Sequence, residues 1–378
     1  MAIAETVATD RIGTEGLDWS AWPRYEAAAL GFRNYWYPVM WSRRLGATPV
    51  PVTLLGEKIV LVRDRGKVYA LQDRCAHRGI PLSCKASPTG RRTFSKQIFP
   101  GTITCGFHGW TYDLASGVVV AALTDGPDSP IRGKARARTY PVEERLGLVW
   151  LFIGDADPPQ PKADAPVAPP VEADIPEELM REQNVWGGRI TDRAGNWRLA
   201  AEGGLDEGHA RSLHRNTPFM FFRQFPCWTK THVIHSEDGK WVSHVRDEVH
   251  FEGDFPGLGK WPAQKWWAKK RSGLSGGVSI RLPGLLRVKM HGFVHYEWYV
   301  PIDADHHRYI QIAVKFTGGL DALWFELRYW AYIRWLFHGW FNNQDAVMLR
   351  LMDAPPERLY RPDLSIIAWR KLCERARQ

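Results

Sequence analysis

The chain has 378 residues, of which 44% are hydrophobic and 24% are charged. That composition is typical of a globular protein with a sizeable core, and it excludes disordered and fibrous chains. The length predicts about two domains. The net charge of +9 is spread along the chain, which favours an acidic protein partner over nucleic acid.

The sequence carries no sign of export or membrane insertion. Residues 1–13 lack the apolar core of a secretory signal. The most apolar stretch, Leu323 to Phe341, is interrupted by three charged residues and is not a membrane span. Five cysteines in a chain of this length do not make a disulfide scaffold. The sequence therefore predicts a cytoplasmic protein that binds neither membrane nor nucleic acid.

Residues 34–154 predict a small all-β domain. This region alternates runs of β-branched and aromatic residues with glycine, proline and charged residues, which is typical of short strands. The predicted strands include Tyr35–Trp41, Lys58–Val62, Val68–Leu71, Thr102–Thr104, Thr111–Asp113 and Leu148–Ile153. Residues 1–33 are predicted to form an N-terminal segment that packs on the larger domain that follows.

That larger domain spans residues 155–378 and is predicted to begin with a proline-rich connector at about residues 158–176. Strand-like alternation follows between residues 228 and 315. The longest predicted helix is Ala322–Met352. The predicted fold class is α+β, with a small all-β domain followed by a mixed domain that has an antiparallel sheet and flanking helices.

Two Cys/His pairs in the β domain are the strongest chemical signal. Cys75 and His77 follow one predicted strand, and Cys105 and His108 follow another. A Rieske 2Fe–2S cluster has two cysteines on one iron and two histidines on the other. One Cys/His pair in each of two matching loops is the arrangement that such a cluster requires.

A single tetrahedral zinc ion is the alternative for the same four side chains. Zinc fingers place cysteine with cysteine and histidine with histidine, whereas here each loop supplies one of each. The residues between the two halves form a long loop, and its part from Lys85 to Pro100 carries several basic side chains. That part is either a solvated surface loop or a docking edge for an acidic electron donor.

A second constellation predicts a mononuclear iron site. His209 and His214 lie in a segment of helical character, and two histidines with one carboxylate leave open positions on ferrous iron for dioxygen. A spacing of five residues places the two side chains roughly 140° apart on an ideal α-helix. A π-like turn is therefore predicted to bring them together. Asp345, on the predicted C-terminal helix, is the candidate third ligand.

These motifs resemble, in order and over almost the whole chain, the catalytic α subunits of the Rieske non-haem iron ring-hydroxylating oxygenases. The resemblance rests on the two Cys/His pairs, on Asn196-Trp, on the Asp206, His209 and His214 motif, and on Asp345. Within that family, flanking segments such as Gly31–Met40 and Glu297–Asp303 are most similar to the terminal oxygenases of carbazole dioxygenases.

The resemblance implies two cofactors, a Rieske cluster on Cys75, His77, Cys105 and His108, and Fe²⁺ on His209, His214 and Asp345. It also implies a homotrimer, in which Asp206 is a catalytic residue that links a cluster histidine of one subunit to an iron histidine of its neighbour. Electrons would arrive from NAD(P)H through a separate reductase and a ferredoxin. No nucleotide-binding glycine loop after a strand is visible in the sequence.

The implied reaction is dihydroxylation of an aromatic or heteroaromatic ring with both atoms of O₂, with carbazole at the angular position as the implied substrate. The implied substrate residues are Gly204, Val278, Leu286, Val288 and Phe341. The backbone carbonyl of Gly204 would accept a hydrogen bond from a ring N–H. Gly203 departs from the family, which often has asparagine there, so a polar group near the iron is missing.

Two other functions stay open at this point. The same scaffold serves monooxygenases and demethylases that act on other aromatic compounds. A non-catalytic Rieske electron-transfer protein would need the cluster residues but not Asp206, His209, His214 and Asp345.

Overall fold

A computed structural model describes residues 19–84, 99–155, 168–217, 228–250, 253–261, 277–290, 292–352 and 357–377. The chain divides into two compact units. One contains residues 32–180 together with residues 377–378, and the other contains residues 1–31 and 181–376. Most of the basic segment predicted between the cluster loops and part of the proline-rich connector lie outside the described residues.

The described residues of the first unit form three antiparallel sheets of three strands each. In chain order the strands are β1 (Tyr35–Trp41), β2 (Val50–Leu54), β3 (Glu57–Asp64), β4 (Lys67–Gln72), β5 (Thr102–Thr104), β6 (Trp110–Asp113), β7 (Val119–Ala122), β8 (Val142–Arg145) and β9 (Leu148–Ile153). The sheet orders are β1-β9-β8, β2-β3-β4 and β5-β6-β7.

Tight hairpins connect the strands of this unit. Leu55-Gly56 joins β2 to β3 and Arg65-Gly66 joins β3 to β4, with positive φ at both residues of each pair. Two-residue turns of this kind match the right-handed twist of the flanking strands, and glycine adopts the second position without strain. The hairpins fix the register of the strand that leads into the first cysteine loop.

The second unit contains a seven-stranded antiparallel sheet with the strand order β10-β18-β17-β16-β15-β12-β11. Its strands are β10 (Val185–Ala194), β11 (Trp228–His235), β12 (Trp241–His250), β15 (Val278–Arg281), β16 (Leu285–Met290), β17 (Phe293–Pro301) and β18 (His306–Lys315). A separate hairpin pairs β13 (Gly253–Phe255) with β14 (Gly259–Trp261). The prediction of an α+β fold with an antiparallel sheet is confirmed.

Helices accompany this sheet in the second unit. They are α1 (Pro23–Ala27), α2 (Trp197–Leu205), α3 (Glu207–Ser212), α4 (Gly319–Arg328), a π-helix (Tyr329–Phe341), α5 (Asn342–Leu351) and α6 (Leu364–Cys373). The long predicted helix is therefore interrupted in its middle, where thirteen residues of π-helix separate α4 from α5. Within the described part of the chain, no helix is long and apolar enough to cross a membrane.

Helix α2 is held by polar contacts at its start and along its buried side. The side chain of Asn196 accepts the backbone N–H of Arg198, which caps the first turn. The indole of Trp197 donates to the carbonyl oxygen of Ala28, and the carboxylate of Glu202 accepts from Tyr25 and Arg370. These contacts fix the helix that leads directly into the predicted iron site.

Candidate metal centres

The two cysteine loops of the first unit have the same backbone geometry. Cys75 donates its N–H to the carbonyl of Ile80, and Cys105 donates to that of Trp110, at 2.8 Å in both cases. In each loop a glycine four residues after the cysteine has positive φ and returns its N–H to the cysteine carbonyl. The matched turns predicted from the spacing are therefore present.

The four predicted cluster ligands fall into a buried pair and a more exposed pair. Cys75 and Cys105 are buried in the core of the unit and hydrogen-bond to each other. The imidazoles of His77 and His108 face each other edge to face with ring centroids 4.7 Å apart, and His77 stacks on Trp110. His77 is exposed and His108 is half-buried. Two thiols on the inner side and two imidazoles on the outer side fit a Rieske cluster.

The local contacts favour a thiolate at one of the two cysteines, Cys75. The contact with Cys105, with further donors including the Tyr112 hydroxyl, outweighs burial and lowers the pKa of Cys75 to about 5, whereas the same contact and burial raise the pKa of Cys105. The Tyr112 hydroxyl lies 3.0 Å from Cys75 Sγ and also accepts the N–H of Ala76 at 2.9 Å. Tyr112 therefore orients the Cys75 sulfur.

The second unit brings together the three residues predicted to hold iron. The Nε2 atoms of His209 and His214 lie 3.4 and 3.1 Å from the same carboxylate oxygen, Oδ1 of Asp345. One ligand atom from each residue lies within 4.8 Å of those of the other two. Two imidazoles and a carboxylate form the donor set of a non-haem ferrous site with open positions. The residues fit the ion that the sequence predicts.

The predicted π-like turn between the two histidines is wrong. His209 lies in the short helix α3, and His214 lies in the 3₁₀ turn Leu213–Asn216 that follows it. Because this six-residue helix changes to 3₁₀ geometry before His214, the angle calculated for an ideal α-helix does not apply. The π-helix occurs instead at Tyr329–Phe341, immediately before the helix that carries Asp345.

Carboxylates surround His209 on two sides. Its Nδ1 atom lies 3.3 Å from Asp206, and its Nε2 atom faces Asp345. Burial opposes protonation of the ring, but the two carboxylates outweigh burial and raise the pKa of His209 to about 10. The site therefore favours a positive charge between these carboxylates, which a divalent ion supplies when the ring is neutral.

Asp206 caps the helix on which His209 lies. Its carboxylate accepts the backbone N–H of Gly208 at 2.7 Å and that of His209 at 3.2 Å. Burial would raise its pKa, but His209 and these two N–H groups lower it overall. The residue thus combines an N-cap with a contact to a predicted iron ligand.

Two neighbours of the site orient His214, whose side chain is only 1% exposed. Its Nδ1 atom lies 2.8 Å from the side-chain oxygen of Gln344. Its ring also stacks on Phe341, with centroids 3.8 Å apart. A hydrogen bond on the second ring nitrogen fixes which nitrogen faces a metal. Gln344 was missed in the sequence, although it directly precedes Asp345.

A cavity of about 480 Å³ adjoins the three predicted ligands. The residues predicted to contact the substrate all line it, namely Gly204, Val278, Leu286, Val288 and Phe341. The strand residues among them come from β15 and β16, where the register pairs Val278 with Val288. The alternation that predicted strand β16 therefore also placed Leu286 and Val288 on the cavity side.

The two adjacent glycines of α2 have opposite surroundings. A Cβ atom at Gly203 would meet nothing within 4 Å, so an asparagine side chain at this position would have space beside the cavity. A Cβ atom at Gly204 would lie 2.2 Å from the Tyr299 hydroxyl and 2.8 Å from Leu286 Cδ2. Gly204 is thus required for close approach of the helix to the sheet.

A polar group in the cavity wall was also missed. Glu297, Tyr299 and Tyr309 line the cavity on β17 and β18. Glu297 accepts hydrogen bonds from His295 at 2.8 Å and from the Tyr299 hydroxyl. The period-two spacing of His295, Glu297 and Tyr299 was the available signal, because alternate strand residues share a face.

Comparisons with known proteins identify the family of the chain. The sequence model of the homotrimeric ring hydroxylases matches residues 152–378, and that of the Rieske 2Fe–2S domain matches residues 35–132. The chain belongs to the homotrimeric ring hydroxylases and carries a Rieske domain. It is the terminal oxygenase component of a Rieske non-haem iron dioxygenase that hydroxylates aromatic rings, with a Rieske cluster and mononuclear iron as cofactors.

The similar proteins include terminal oxygenase components of carbazole 1,9a-dioxygenase. That of a Sphingomonas species is 35% identical over 93% of both chains, and that of Metapseudomonas resinovorans is 32% identical over 94% of both. A solved structure of a carbazole-bound variant oxygenase with ferredoxin has a TM-score of 0.77 and 30% identity, covering 95% of this chain and 93% of that one.

Proposed function

We propose that this oxygenase dihydroxylates carbazole, or a closely related flat heteroaromatic compound, at the angular position. The observation that carries the proposal is the cavity beside His209, His214 and Asp345, whose walls are largely apolar. A flat tricyclic ring needs an apolar pocket of several hundred Å³ with few polar anchors. The carbazole oxygenases similar to this chain over most of its length support the same substrate class.

The ligand assignments belong to this proposal. Cys75, His77, Cys105 and His108 hold the Rieske cluster, and His209, His214 and Asp345 hold Fe²⁺. The Rieske domain extends over residues 34–154 and the catalytic domain over residues 155–378. The proposed packing of residues 1–33 on the catalytic domain involves a segment of which residues 1–18 lie outside the described residues. When bound, the cluster supplies single electrons and the ferrous iron supplies the site of dioxygen activation.

The protein's own residues bind and orient the ring. Val278, Leu286, Val288 and Phe341 give the substrate an apolar surface and exclude water from it, since all four line the cavity. Gly204 offers its backbone carbonyl to the ring N–H, since Gly204 lines the cavity. Holding the ring in one orientation determines which carbon atoms receive the hydroxyl groups.

Asp206 is assigned a second role in this proposal, besides capping α3. In a head-to-tail homotrimer its carboxylate joins an iron histidine of one subunit to a cluster histidine of the next by hydrogen bonds. The contact between Asp206 and His209 Nδ1 supports one half of that link. Electrons reach the cluster from a ferredoxin, as the ferredoxin complex of the related carbazole oxygenase suggests.

Product analysis tests this proposal. Purified oxygenase with verified iron and cluster content is given NADH, a ferredoxin, its reductase and carbazole. Angular attack yields an unstable diol that opens to an aminobiphenyl-diol, and this product is expected. Turnover of other aromatic compounds with no product from carbazole would refute the substrate while leaving the oxygenase class intact.

A further inference from the structure

One wall of the cavity carries a positively charged side chain. Arg193 lies on the edge strand β10, lines the cavity and is half-buried. Its Cζ atom lies 4.1 Å from the centre of the Tyr309 ring, and its Nη2 atom donates to the side-chain oxygen of Asn343 at 3.2 Å. These two contacts hold the guanidinium beside the cavity and use one of its five N–H donors. Several donors therefore remain for a ligand.

No carboxylate in the described part of the chain forms an ion pair with Arg193. The adjacent Asp192 is bound instead by Arg308, whose Nε and Nη2 atoms donate to it at 2.8 and 2.9 Å. Glu297, the buried carboxylate of the cavity wall, accepts hydrogen bonds from His295 and two tyrosines. A cation that is partly removed from water usually has an anionic partner, because losing its hydration is costly. The charge of Arg193 is therefore not neutralised within the described residues.

Two further arginines add to the positive potential on this side of the sheet. Arg189 lies four residues before Arg193 on the same face of β10, and its Nη1 atom donates to the carbonyl oxygen of His338 at 3.1 Å. Arg334, on the π-helix, has its Cζ atom 4.7 Å from the centre of the Trp330 ring. Burial lowers the pKa of Arg189, and repulsion from Arg193 and Arg334 lowers it further. Neither Arg189 nor Arg334 forms an ion pair with a described carboxylate, so this group of like charges favours an anion.

The charge of Arg193 acts on other groups in the cavity wall. Burial lowers the pKa of His307 to about 4, and the charge of Arg193 contributes to that effect. Burial raises the pKa of Tyr299 and of Tyr309, and Arg193 opposes that rise. His307, Tyr299 and Tyr309 all line the cavity. An anionic group that enters the cavity therefore meets a positive potential at this wall.

We infer that Arg193 binds the carboxylate of an aromatic acid, whose ring lies against the apolar part of the cavity wall. The planar guanidinium matches a carboxylate with two parallel N–H···O bonds. Leu286 and Val288 supply apolar surface in the same cavity. Asn343, which Arg193 contacts, lies two residues before Asp345 on α5, so the ring is held near the candidate iron site. This ligand class, flat aromatic carboxylates, goes beyond the neutral heteroaromatic compounds of the proposed function.

Naphthalene and 2-naphthoate are the matched probes, because they differ only in the carboxylate. Equilibrium dialysis against the fully loaded, oxidised trimer measures both dissociation constants. The wild-type protein is expected to bind 2-naphthoate, and excess naphthalene should displace it because the two rings occupy the same cavity. Arg193→Gln should weaken 2-naphthoate by about 10- to 100-fold, the range for hydrogen bonds to charged groups, and should leave naphthalene binding unchanged.

Two further variants separate the charge of Arg193 from its shape and position. Arg193→Lys keeps the charge but loses the planar fork, so its affinity for 2-naphthoate should lie between those of the wild-type protein and Arg193→Gln. Arg350→Gln removes the same charge from an exposed position on α5 and should leave both dissociation constants unchanged. Unchanged naphthalene binding shows that the cavity of each variant is intact.

Wild-type protein that does not bind 2-naphthoate would overturn the inference without any variant, so the test does not depend on the folding of Arg193→Gln. Binding that naphthalene does not displace would overturn it by placing the anion outside the cavity. Full affinity in Arg193→Gln would assign the carboxylate to another cation, such as Arg328, which also lines the cavity. Equal weakening of both probes would leave Arg193 with a structural role only. Failure of the proposed function is distinct, because neither probe is carbazole.

Discussion

The Nε2 atom of His214 lies 3.1 Å from Oδ1 of Asp345, although 130 residues separate the two in the chain. The first lies on a 3₁₀ turn after α3 and the second on α5, directly after the π-helix. The Nε2 atom of His209 lies 3.4 Å from the same oxygen. This convergence is what turns three dispersed residues into a candidate iron site.

Replacing the shared carboxylate tests the site. Asp345→Ala is expected to lower the affinity for mononuclear iron by more than about 10-fold, because a ligand with two histidine contacts is lost. The Rieske spectrum should persist, since the cluster residues belong to the other unit. Metal analysis measures the iron content, and the visible spectrum measures the Rieske cluster.

Asp321→Asn is the matched control, because Asp321 is exposed and contacts Lys315 and Thr317 on the surface. It should load iron like the wild-type protein. Full iron content in Asp345→Ala would show that Asp345 is not a ligand.

Tyr112 is expected to tune the cluster. Its hydroxyl lies 3.0 Å from Cys75 Sγ, and a hydrogen bond to a ligand sulfur stabilises the reduced, more negative cluster. Tyr112→Phe should therefore lower the reduction potential by some tens of millivolts, on the order of one neutral hydrogen bond. Redox titration of the visible spectrum measures the shift.

Tyr69→Phe removes a hydroxyl from another tyrosine that packs on the same core, and it should leave the potential unchanged. A potential that does not move in Tyr112→Phe would mean that this hydroxyl does not bond to the cluster sulfur.

Asp206→Asn separates electron transfer from metal binding. Asparagine is as good an N-cap as aspartate, so helix α3 should keep its start and stability should fall by less than about 1 kcal/mol. Both metal sites should load, but oxidation of the reduced cluster in the presence of substrate and dioxygen should slow strongly. Rapid-mixing spectroscopy of the cluster follows this step.

An exposed carboxylate on β10 provides the comparison for Asp206. Asp192 is exposed and pairs with Arg308, so Asp192→Asn should leave the rate unchanged. Near-normal product formation by Asp206→Asn would refute the bridging role.

The paired glycines of α2 give opposite expectations for stability. Gly204→Ala places a Cβ atom 2.2 Å from the Tyr299 hydroxyl, and such overpacking typically costs about 1–3 kcal/mol. Gly203→Ala meets nothing within 4 Å, so better helix propensity should stabilise the fold by about 0.5–1 kcal/mol. Urea unfolding of the two variants measures the difference. Equal stabilities would mean that the helix shifts to accommodate the methyl group.

Much of the fold and of the candidate metal sites could be predicted from the sequence, because the decisive signals lie within short segments of the chain. The Cys/His pairs predict the cluster loops. The buried strands Thr102–Thr104 and Leu148–Ile153 have the bounds that the sequence predicts. The resemblance to a known family implied that Asp345, which is distant in sequence from the two histidines, is the third iron ligand. Alternation along β16 placed Leu286 and Val288 on one face, which is the face that lines the cavity.

The features that the sequence did not predict depend on local helix geometry or on contacts between segments that are distant in sequence. The 3₁₀ geometry at His214 was missed because an ideal-helix calculation ignores the cap at Asp206 and the short length of α3. The donors to Glu297 come from β17 and β18, and His338 of the π-helix contacts His295. The spacing along β17 places His295, Glu297 and Tyr299 on one face, but neither propensity nor spacing shows that β18 and the π-helix meet them there. Histidines in strand sequence are usually core or surface residues, so His295 gave no signal by itself.

The most direct test of the account is turnover under isotopically labelled dioxygen with carbazole as substrate. The loaded oxygenase receives electrons from NADH through ferredoxin and reductase, and mass spectrometry counts the labelled atoms in the ring-opened diol. The account predicts that both hydroxyl oxygens of the product carry the label and that Asp345→Ala forms no product. A product with a single labelled oxygen would contradict it and would make the enzyme a monooxygenase.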